Sequence, residues 1–280
     1  MQKTVKNPII DFHTHAFPEK IASRTIELLR DGMMRESGRD CTPASDGTAA
    51  GLVSVMDKAG IDISVVMPIV TKPAQTEHIN EYAADLTSGS GGRLISFGSV
   101  HPSDPDAPKT VDKLAASGFG GIKLHPEFQK TYIDSPECIS VLRRAAAGGL
   151  AVTVHAGADI GLPPPVHCTP DRILHVLDAV PDLKLIAAHL GGWMMWDEVA
   201  VKLCGTPIYF DTAFIADFID PTRAKDIITA HTAKKVLLGS DCPWEDPAVT
   251  VGFIRSLGLS AEDTELILGK NAEEILKLNK

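Results

Sequence analysis

The chain has 280 residues, of which 44% are hydrophobic, and a formal net charge of −9 at pH 7. This charge argues against nucleic acid or an anionic membrane surface as a partner, because both require basic patches on the protein. The length fits one α/β barrel, and the hydrophobic content predicts a packed core rather than disorder. Without a low-complexity tract or a convincing linker, we expect a single domain over residues 1–280.

The cysteines and the amino terminus predict a cellular compartment. The five cysteines form no Cys-x-x-Cys pair, and an odd number favours free thiols in a reducing compartment. The opening residues MQKTVKNPII lack the apolar segment of a signal peptide. No run of about 18 apolar residues predicts a membrane span. We therefore expect a cytoplasmic protein.

Eight short apolar segments alternate with helix-like segments along the chain. They are Pro8–His15, Ile63–Val70, Leu94–His101, Gly120–His125, Leu150–Gly157, Leu183–Gly191, Pro207–Phe214 and Lys235–Asp241. Most are continuously apolar, as strands buried on both faces should be. The spacers show helical periodicity, and several of them end at Gly or Pro. Eight such units predict parallel strands closed into a (β/α)8 TIM barrel.

An open, doubly wound α/β sheet is the main alternative architecture. Such a sheet usually has a glycine-rich loop after its first strand, which holds a pyrophosphate group. The first predicted strand here ends in HTHAFP instead. We therefore favour the barrel.

The longest irregular segment, residues 16–47, follows the first predicted strand. It contains one helix-like segment and then a polar loop from about Met33 to Asp46. On a barrel, this top-face insertion would act as a lid or a substrate loop. It could alternatively be a surface loop at the contact between two copies in a homodimer.

Polar side chains with metal-binding chemistry lie at the carboxyl ends of the predicted strands. They are Asp11, His13, His15, Lys123, His125, His155, His189 and Asp241. Alternating residues of a strand share one face, and the carboxyl ends of barrel strands converge on one pocket. A single buried histidine is more often a hydrogen-bonded core residue than a ligand. Five histidines in four strands, with a carboxylate ending a fifth, instead predict a metal site, since imidazole and carboxylate bind divalent metals.

Three histidines and one aspartate, with a water, form an open site of the kind that catalytic zinc uses. Such an ion lowers the pKa of its water to ~7. A nearby base can then complete the deprotonation.

The motifs DFHTH, GIKLHP, TVHAG, AHLGG and GSDCPW, in this order and spacing, resemble the amidohydrolase superfamily. They are most similar to its amidohydrolase-2 branch, which includes the aminocarboxymuconate-semialdehyde decarboxylase-like enzymes. The resemblance extends from Ile9 to about Leu278. It implies a (β/α)8 barrel with a divalent metal, usually one Zn²⁺.

The resemblance also implies roles for five residues. His13 and His15 match the metal ligands of the first strand, and His155 matches the ligand of the fifth. Asp241 matches the eighth-strand carboxylate that binds the metal or its water. His189 matches a sixth-strand histidine, which in one-metal members acts as an acid or base behind the ligands.

Lys123 leaves two alternatives open. In two-metal members of the superfamily, a fourth-strand lysine is carbamylated and bridges both ions, and His155 and His189 would then bind the second ion. Otherwise Lys123 stays cationic and holds a substrate carboxylate or stabilises negative charge. We favour one metal. His125 could contact substrate or be a structural hydrogen-bonding residue.

Two aspartates are less certain candidates for the site. Asp11 could orient a ligand histidine or cap the end of its strand. Asp211, on the seventh predicted strand, is the weaker candidate.

Our leading functional hypothesis is metal-dependent hydrolysis of a small organic substrate. Asp241 would accept the water proton, and His189 would stabilise the oxyanion or move the proton. The alternative is non-oxidative decarboxylation of a carboxylated small acid, aromatic acids included. Lys123 and the insertion arginines Arg24, Arg30, Arg35 and Arg39 would then be candidate carboxylate anchors. A barrel that only binds a ligand is the least favoured class.

Overall fold

The computed structural model describes residues 7–278. The strands are β1 (Ile10–Thr14), β2 (Ile63–Val66), β3 (Leu94–Ser96), β4 (Gly98–Ser99), β5 (Gly121–Leu124), β6 (Ala151–Val154), β7 (Lys184–Ala187), β8 (Tyr209–Asp211) and β9 (Val236–Leu237). Most of the amino-terminal decapeptide that argued against a signal peptide lies outside the described residues.

Helices separate the strands. They are α1 (Glu19–Ser37), α2 (Ala49–Ala59), α3 (Thr76–Gly89), α4 (Ala107–Ala116), α5 (Pro126–Gln129), α6 (Pro136–Ala147), α7 (Pro170–Ala179), α8 (Trp196–Lys202), α9 (Pro221–His231), α10 (Pro247–Ser256), α11 (Ala261–Glu265) and α12 (Asn271–Leu276). Within residues 7–278, none of these helices has the length and apolar content needed to cross a bilayer.

Local sequence accounts for where several helices begin. The side chains of Thr48, Ser135 and Thr169 each accept a hydrogen bond from the first turn of α2, α6 and α7, respectively. Proline occupies an early position of α6, α7, α9 and α10, where its missing N–H costs nothing.

The parallel strands form a closed barrel. β1, β2 and β3 pair in order, and β4 to β9 pair in order. Phe97 alone separates β3 from β4, which are the two halves of the third predicted strand. The ring closes where the Phe12 amide donates to the Leu238 carbonyl (2.7 Å) and the His15 amide donates to the Cys242 carbonyl (2.6 Å). The predicted (β/α)8 barrel is confirmed, whereas the single domain over 1–280 stays a prediction.

One predicted boundary differs from the structure. The polar loop was expected from about Met33, but α1 continues to Ser37 and ends at Gly38, which has a φ of 71°. Arg35, Glu36 and Ser37 in the last turn are exposed, so no apolar periodicity marked this extension in the sequence. Near the carboxyl terminus, a π-helical segment, Leu266–Lys270, lies between α11 and α12.

Aromatic side chains fill the barrel below the polar strand ends. Phe12 and Phe97 pack edge to face, with ring centroids 5.6 Å apart. Gly121 on β5 leaves room for the Phe97 ring, since a Cβ there would lie 2.5 Å from the Ala151 carbonyl oxygen and closer still to the ring. This packed floor supports the polar residues at the other ends of the strands.

We predict that Gly121→Ala lowers the free energy of unfolding by roughly 1–3 kcal/mol, because the added methyl overpacks the barrel. The matched control is Gly252→Ala in the exposed interior of α10, where a Cβ meets nothing within 4 Å. That control should raise stability by about 0.5–1 kcal/mol. Urea unfolding measures both changes, and equal stability of the two variants would contradict the packing described for β5.

Candidate metal centre

Three predicted ligands meet where the barrel closes. His13 and His15 come from β1, and Asp241 follows β9. The Nε2 atoms of His13 and His15 lie 3.3 and 3.0 Å from Oδ1 of Asp241, and the three side chains can share one ion. The structure therefore brings together residues that are more than 220 positions apart in the chain.

Hydrogen-bond partners assign the protons of both histidines. Nδ1 of His13 lies 2.8 Å from Oδ2 of Asp211, and Nδ1 of His15 lies 2.8 Å from the Met67 carbonyl oxygen. Both partners only accept, so each imidazole carries its proton on Nδ1 and has a lone pair on Nε2. Burial lowers the pKa of His13 well below its usual value, which keeps that ring neutral.

Three lone pairs consequently face one another. When Asp241 is ionised, its Oδ1 faces the two imidazole lone pairs at 3.3 and 3.0 Å. Electron pairs in this arrangement repel unless a cation lies among them, and these donors are those that divalent metals bind.

The Lys123 ammonium is the cation that touches this group in the structure. Its side chain is 1% exposed, and Nζ lies 3.0 Å from Nε2 of His13. Burial lowers the pKa of Lys123 to about 8, although the carboxylates of Asp211 and Asp241 partly offset this effect. Lys123 therefore remains mostly protonated at neutral pH. The alternative in which Lys123 is carbamylated and a second ion binds stays untested.

His155 and His189 form a chain of contacts beside the first three residues. Nδ1 of His189 lies 2.8 Å from the Ala213 carbonyl oxygen, and Nε2 of His155 lies 3.0 Å from the Ala158 carbonyl oxygen. The inner atoms, Nε2 of His189 and Nδ1 of His155, are 3.0 Å apart. Burial lowers the pKa of each ring to about 4, so both are neutral at pH 7.

The rings of His155 and His189 present lone pairs on the two nitrogens that face each other. Two neutral imidazoles carry two protons, and both protons lie on the outer nitrogens that face carbonyl oxygens. The inner nitrogens therefore present two further lone pairs. The His189 ring lies 5.5 Å from the His13 ring, so these lone pairs adjoin the cluster of His13, His15 and Asp241.

Asp211 is more important to the site than its sequence position indicates. Its Oδ2 accepts the Nδ1 proton of His13, and its Oδ1 accepts from the backbone amides of His189 and Ala213. One buried carboxylate thus orients a predicted ligand and holds the segment that carries His189. Its position at the end of β8 was the available signal, but the type of residue alone could not distinguish orientation from ligation.

Asp11 does not join the cluster. It accepts hydrogen bonds from the amide (2.9 Å) and the hydroxyl (2.6 Å) of Ser240, and so holds the segment before Asp241. Asp241 and His189 have φ values of 65° and 60°, in the left-handed region that is costly for most residues. The two aspartates Asp11 and Asp211 thus hold strained backbone where these functional side chains enter the cavity.

His125 lies apart from the first cluster, in a second group with His155 and Asp159. Asp159 follows β6 in the motif HAGAD and was not predicted. Its pKa is raised by burial to about 6.

A cavity of about 650 Å³ opens above these residues. One face of α1, with Ile21, Leu28 and Met33, forms part of its largely apolar wall, together with Trp193 and Phe214. The helical part of the insertion therefore lines the cavity. Its action as a lid or substrate loop and its role in a homodimer contact stay predictions.

Only one insertion arginine reaches the cavity. Among the described residues that line it, Arg35 and Lys123 are the only lysine or arginine side chains. Arg30 instead pairs with Asp40 (2.6 Å), and the Arg39 guanidinium lies over the Phe218 ring at 4.3 Å.

A family model described as amidohydrolase matches residues 10–278. The chain belongs to the amidohydrolase family. This finding confirms the family that the five motifs resemble. No curated protein matches this chain in a sequence comparison.

Solved structures show the same fold at low identity. The 5-carboxyvanillate decarboxylase from Sphingomonas paucimobilis is 16% identical, with a TM-score of 0.72 over 97% of this chain and 99% of that one. A 2,6-dihydroxybenzoate decarboxylase from Rhizobium is 15% identical, with a TM-score of 0.72 over 98% and 100%. A dihydroxybenzoic acid decarboxylase from Polaromonas sp. JS666, solved with manganese and 2-nitroresorcinol, is 16% identical, with a TM-score of 0.70 over 98% of each chain.

We predict that Asp211→Asn weakens Mn²⁺ binding roughly 10- to 100-fold, which is typical when the partner of a ligand histidine is lost. A carboxamide has one acceptor oxygen, so it cannot serve both His13 and the two backbone amides. Competition with a chelator measures the affinity. Asp182→Asn, at an exposed position, is the matched control and should bind Mn²⁺ as the wild type does. Equal affinity in both variants would contradict the orienting role of Asp211.

Proposed function

We propose that the protein is a metal-dependent, non-oxidative decarboxylase of a carboxylated aromatic acid. The observation that carries the proposal is the buried Lys123 ammonium, which lies 3.0 Å from His13 among the candidate metal donors. A substrate carboxylate that enters the cavity meets this positive charge beside the metal donors. The similar solved structures support decarboxylation over hydrolysis, because those named above act on carboxylated aromatic rings.

We propose one divalent ion, held by His13, His15 and Asp241 with Nδ1 of His155. The Zn²⁺ expected from the sequence and the Mn²⁺ present in a similar structure both accept imidazole and carboxylate ligands. When bound, the ion polarises a substrate oxygen and stabilises the negative charge that develops on the substrate.

Lys123 would bind and orient the substrate carboxylate, since an ammonium with three donors pairs well with an anion at a buried site. The apolar wall from α1, Trp193 and Phe214 would enclose the ring and exclude water. Together these contacts hold the bond between ring carbon and carboxylate carbon at the base of the cavity.

His189 would move the proton that the reaction consumes. Its Nδ1 is held by the Ala213 carbonyl, so Nε2 is the atom at which a proton can be taken up. Burial lowers the pKa of His189 to about 4, and the Asp241 carboxylate partly offsets this effect, so a proton taken up at Nε2 is readily passed on. Transfer of this proton to the ring carbon, with loss of the carboxylate as CO₂, balances the reaction.

We expect the Mn²⁺-loaded protein to release CO₂ from at least one member of a panel of hydroxybenzoates and carboxyvanillates. In D₂O the product ring should carry one deuterium at the former carboxylate carbon, as mass spectrometry would detect. A parallel panel of esters, lactones and amides tests the alternative. Hydrolysis of these compounds, with no CO₂ from any acid, would overturn decarboxylation in favour of hydrolysis.

We predict that His189→Asn lowers kcat by about 10²- to 10⁴-fold, the usual contribution of a general acid or base. Asparagine tolerates a φ of 60° better than most residues, so this variant should keep the fold. Metal content, measured by elemental analysis, should remain at one ion per chain. Loss of the metal together with activity would show that His189 is a ligand instead.

A further inference from the structure

Within the group formed by His125, His155 and Asp159, His125 and Asp159 have no role in the steps above. His125 follows β5, and Asp159 lies in the loop after β6. Nε2 of His125 lies 3.5 Å from Oδ2 of Asp159, and Nε2 of His155 lies 3.8 Å from the same oxygen. Both His125 and Asp159 line the cavity. Their ligand-type atoms are close enough to suggest a second metal site.

The proton positions argue against a metal there. The Phe128 amide at the start of α5 donates to Nδ1 of His125 (3.3 Å), so this nitrogen is the acceptor and Nε2 carries the ring proton. Nε2 of His155 faces the Ala158 carbonyl oxygen and is likewise protonated. Two N–H groups therefore surround one carboxylate, in contrast to the three lone pairs of the metal centre.

Neighbouring contacts hold the His125 ring and the Asp159 carboxylate in place. The His125 ring stacks on the His155 ring at a centroid distance of 4.3 Å and an angle of 15°. Oδ1 of Asp159 accepts the Gly161 amide (2.8 Å), so Oδ2 is the oxygen that faces His125. The cavity wall thus presents a fixed N–H donor beside a fixed carboxylate acceptor.

The separation of these two groups suits an inserted oxygen. At 3.5 Å, Nε2 of His125 and Oδ2 of Asp159 are farther apart than the 2.7–3.2 Å of a normal N–H···O bond. An oxygen atom that lies between them on the cavity side can bond with both. A hydroxyl group satisfies both, as a water molecule does in its absence, because it accepts from the imidazole N–H and donates to the carboxylate.

We propose that His125 and Asp159 bind a hydroxyl group of the substrate. This inference rests on the proposed function for the aromatic acid and adds the hydroxyl as a recognised group. A methyl ether at the same position can accept from His125, but it presents a lone pair to Asp159. An unsubstituted ring leaves both polar groups without a ligand partner, and such sites discriminate strongly against the analogue.

Two variants each remove one half of the pair and keep the local fold. His125→Asn retains an acceptor for the Phe128 amide, since asparagine is a preferred residue at a helix start, but it cannot reach the cavity as Nε2 does. Asp159→Asn retains an oxygen for the Gly161 amide and replaces the acceptor facing His125 with an NH₂ donor. The matched control is His175→Asn, on an exposed side chain outside the cavity.

Calorimetric titration of the Mn²⁺-loaded protein with the three isomeric hydroxybenzoates, their methyl ethers and benzoate tests this inference. We expect at least one hydroxybenzoate to bind about 10- to 100-fold more tightly than its ether in the wild type and in the control. This preference should fall to within about threefold in both cavity variants. No preference in the wild type, or a preference that survives in both variants, overturns the inference.

Binding and turnover separate this inference from the proposed function. A hydroxyl preference that depends on His125 and Asp159, without CO₂ release from any acid, would leave the recognition intact and refute decarboxylation. CO₂ release without such a preference would do the reverse.

Discussion

The site depends on where the protons of its buried imidazoles lie. Asp211 and the Met67 carbonyl oxygen each take the Nδ1 proton of a histidine on β1, which turns two lone pairs toward Asp241. Burial keeps His13 neutral, so the lone pair at its Nε2 is available for a cation. Acceptors behind the histidines thus create a centre with affinity for a positive charge.

The same contacts close the barrel and build the site. The His13 carbonyl accepts the Asp241 amide (2.8 Å), and Asp11 holds the adjacent Ser240 through two hydrogen bonds. The first and last strands therefore bring the two halves of the metal centre together through their backbone and through one buried carboxylate. Because the seam of the fold is also the site, a change that loosens it should affect stability and metal binding together.

The sequence predicted the barrel and the residues at its centre for physical reasons. Continuous apolar segments identified the strands, and the carboxyl ends of parallel strands must converge. This reasoning located His13, His15, His155, His189 and Asp241 at one end of the barrel. It placed Asp211 only as a weak candidate, because a ligand and the residue that orients a ligand are both carboxylates at a strand end.

Other features depend on contacts that sequence patterns do not encode. The role of Asp159 arises from the direction of one oxygen after Gly161 binds the other. The proton on Nε2 of His125 follows from the start of a four-residue helix that has no periodicity of its own. Phe97, which separates the two halves of the third predicted strand, packs edge to face against Phe12 in the barrel interior.

The central claim is that proton placement makes the cluster of His13, His15 and Asp241 a metal site and makes the pair of His125 and Asp159 a donor–acceptor site. Anomalous diffraction from crystals soaked with Mn²⁺ tests it most directly. We predict a strong anomalous peak bonded to Nε2 of His13, Nε2 of His15 and Asp241, with none between His125 and Asp159. A peak bonded to His125, or none at the first cluster, would contradict the account.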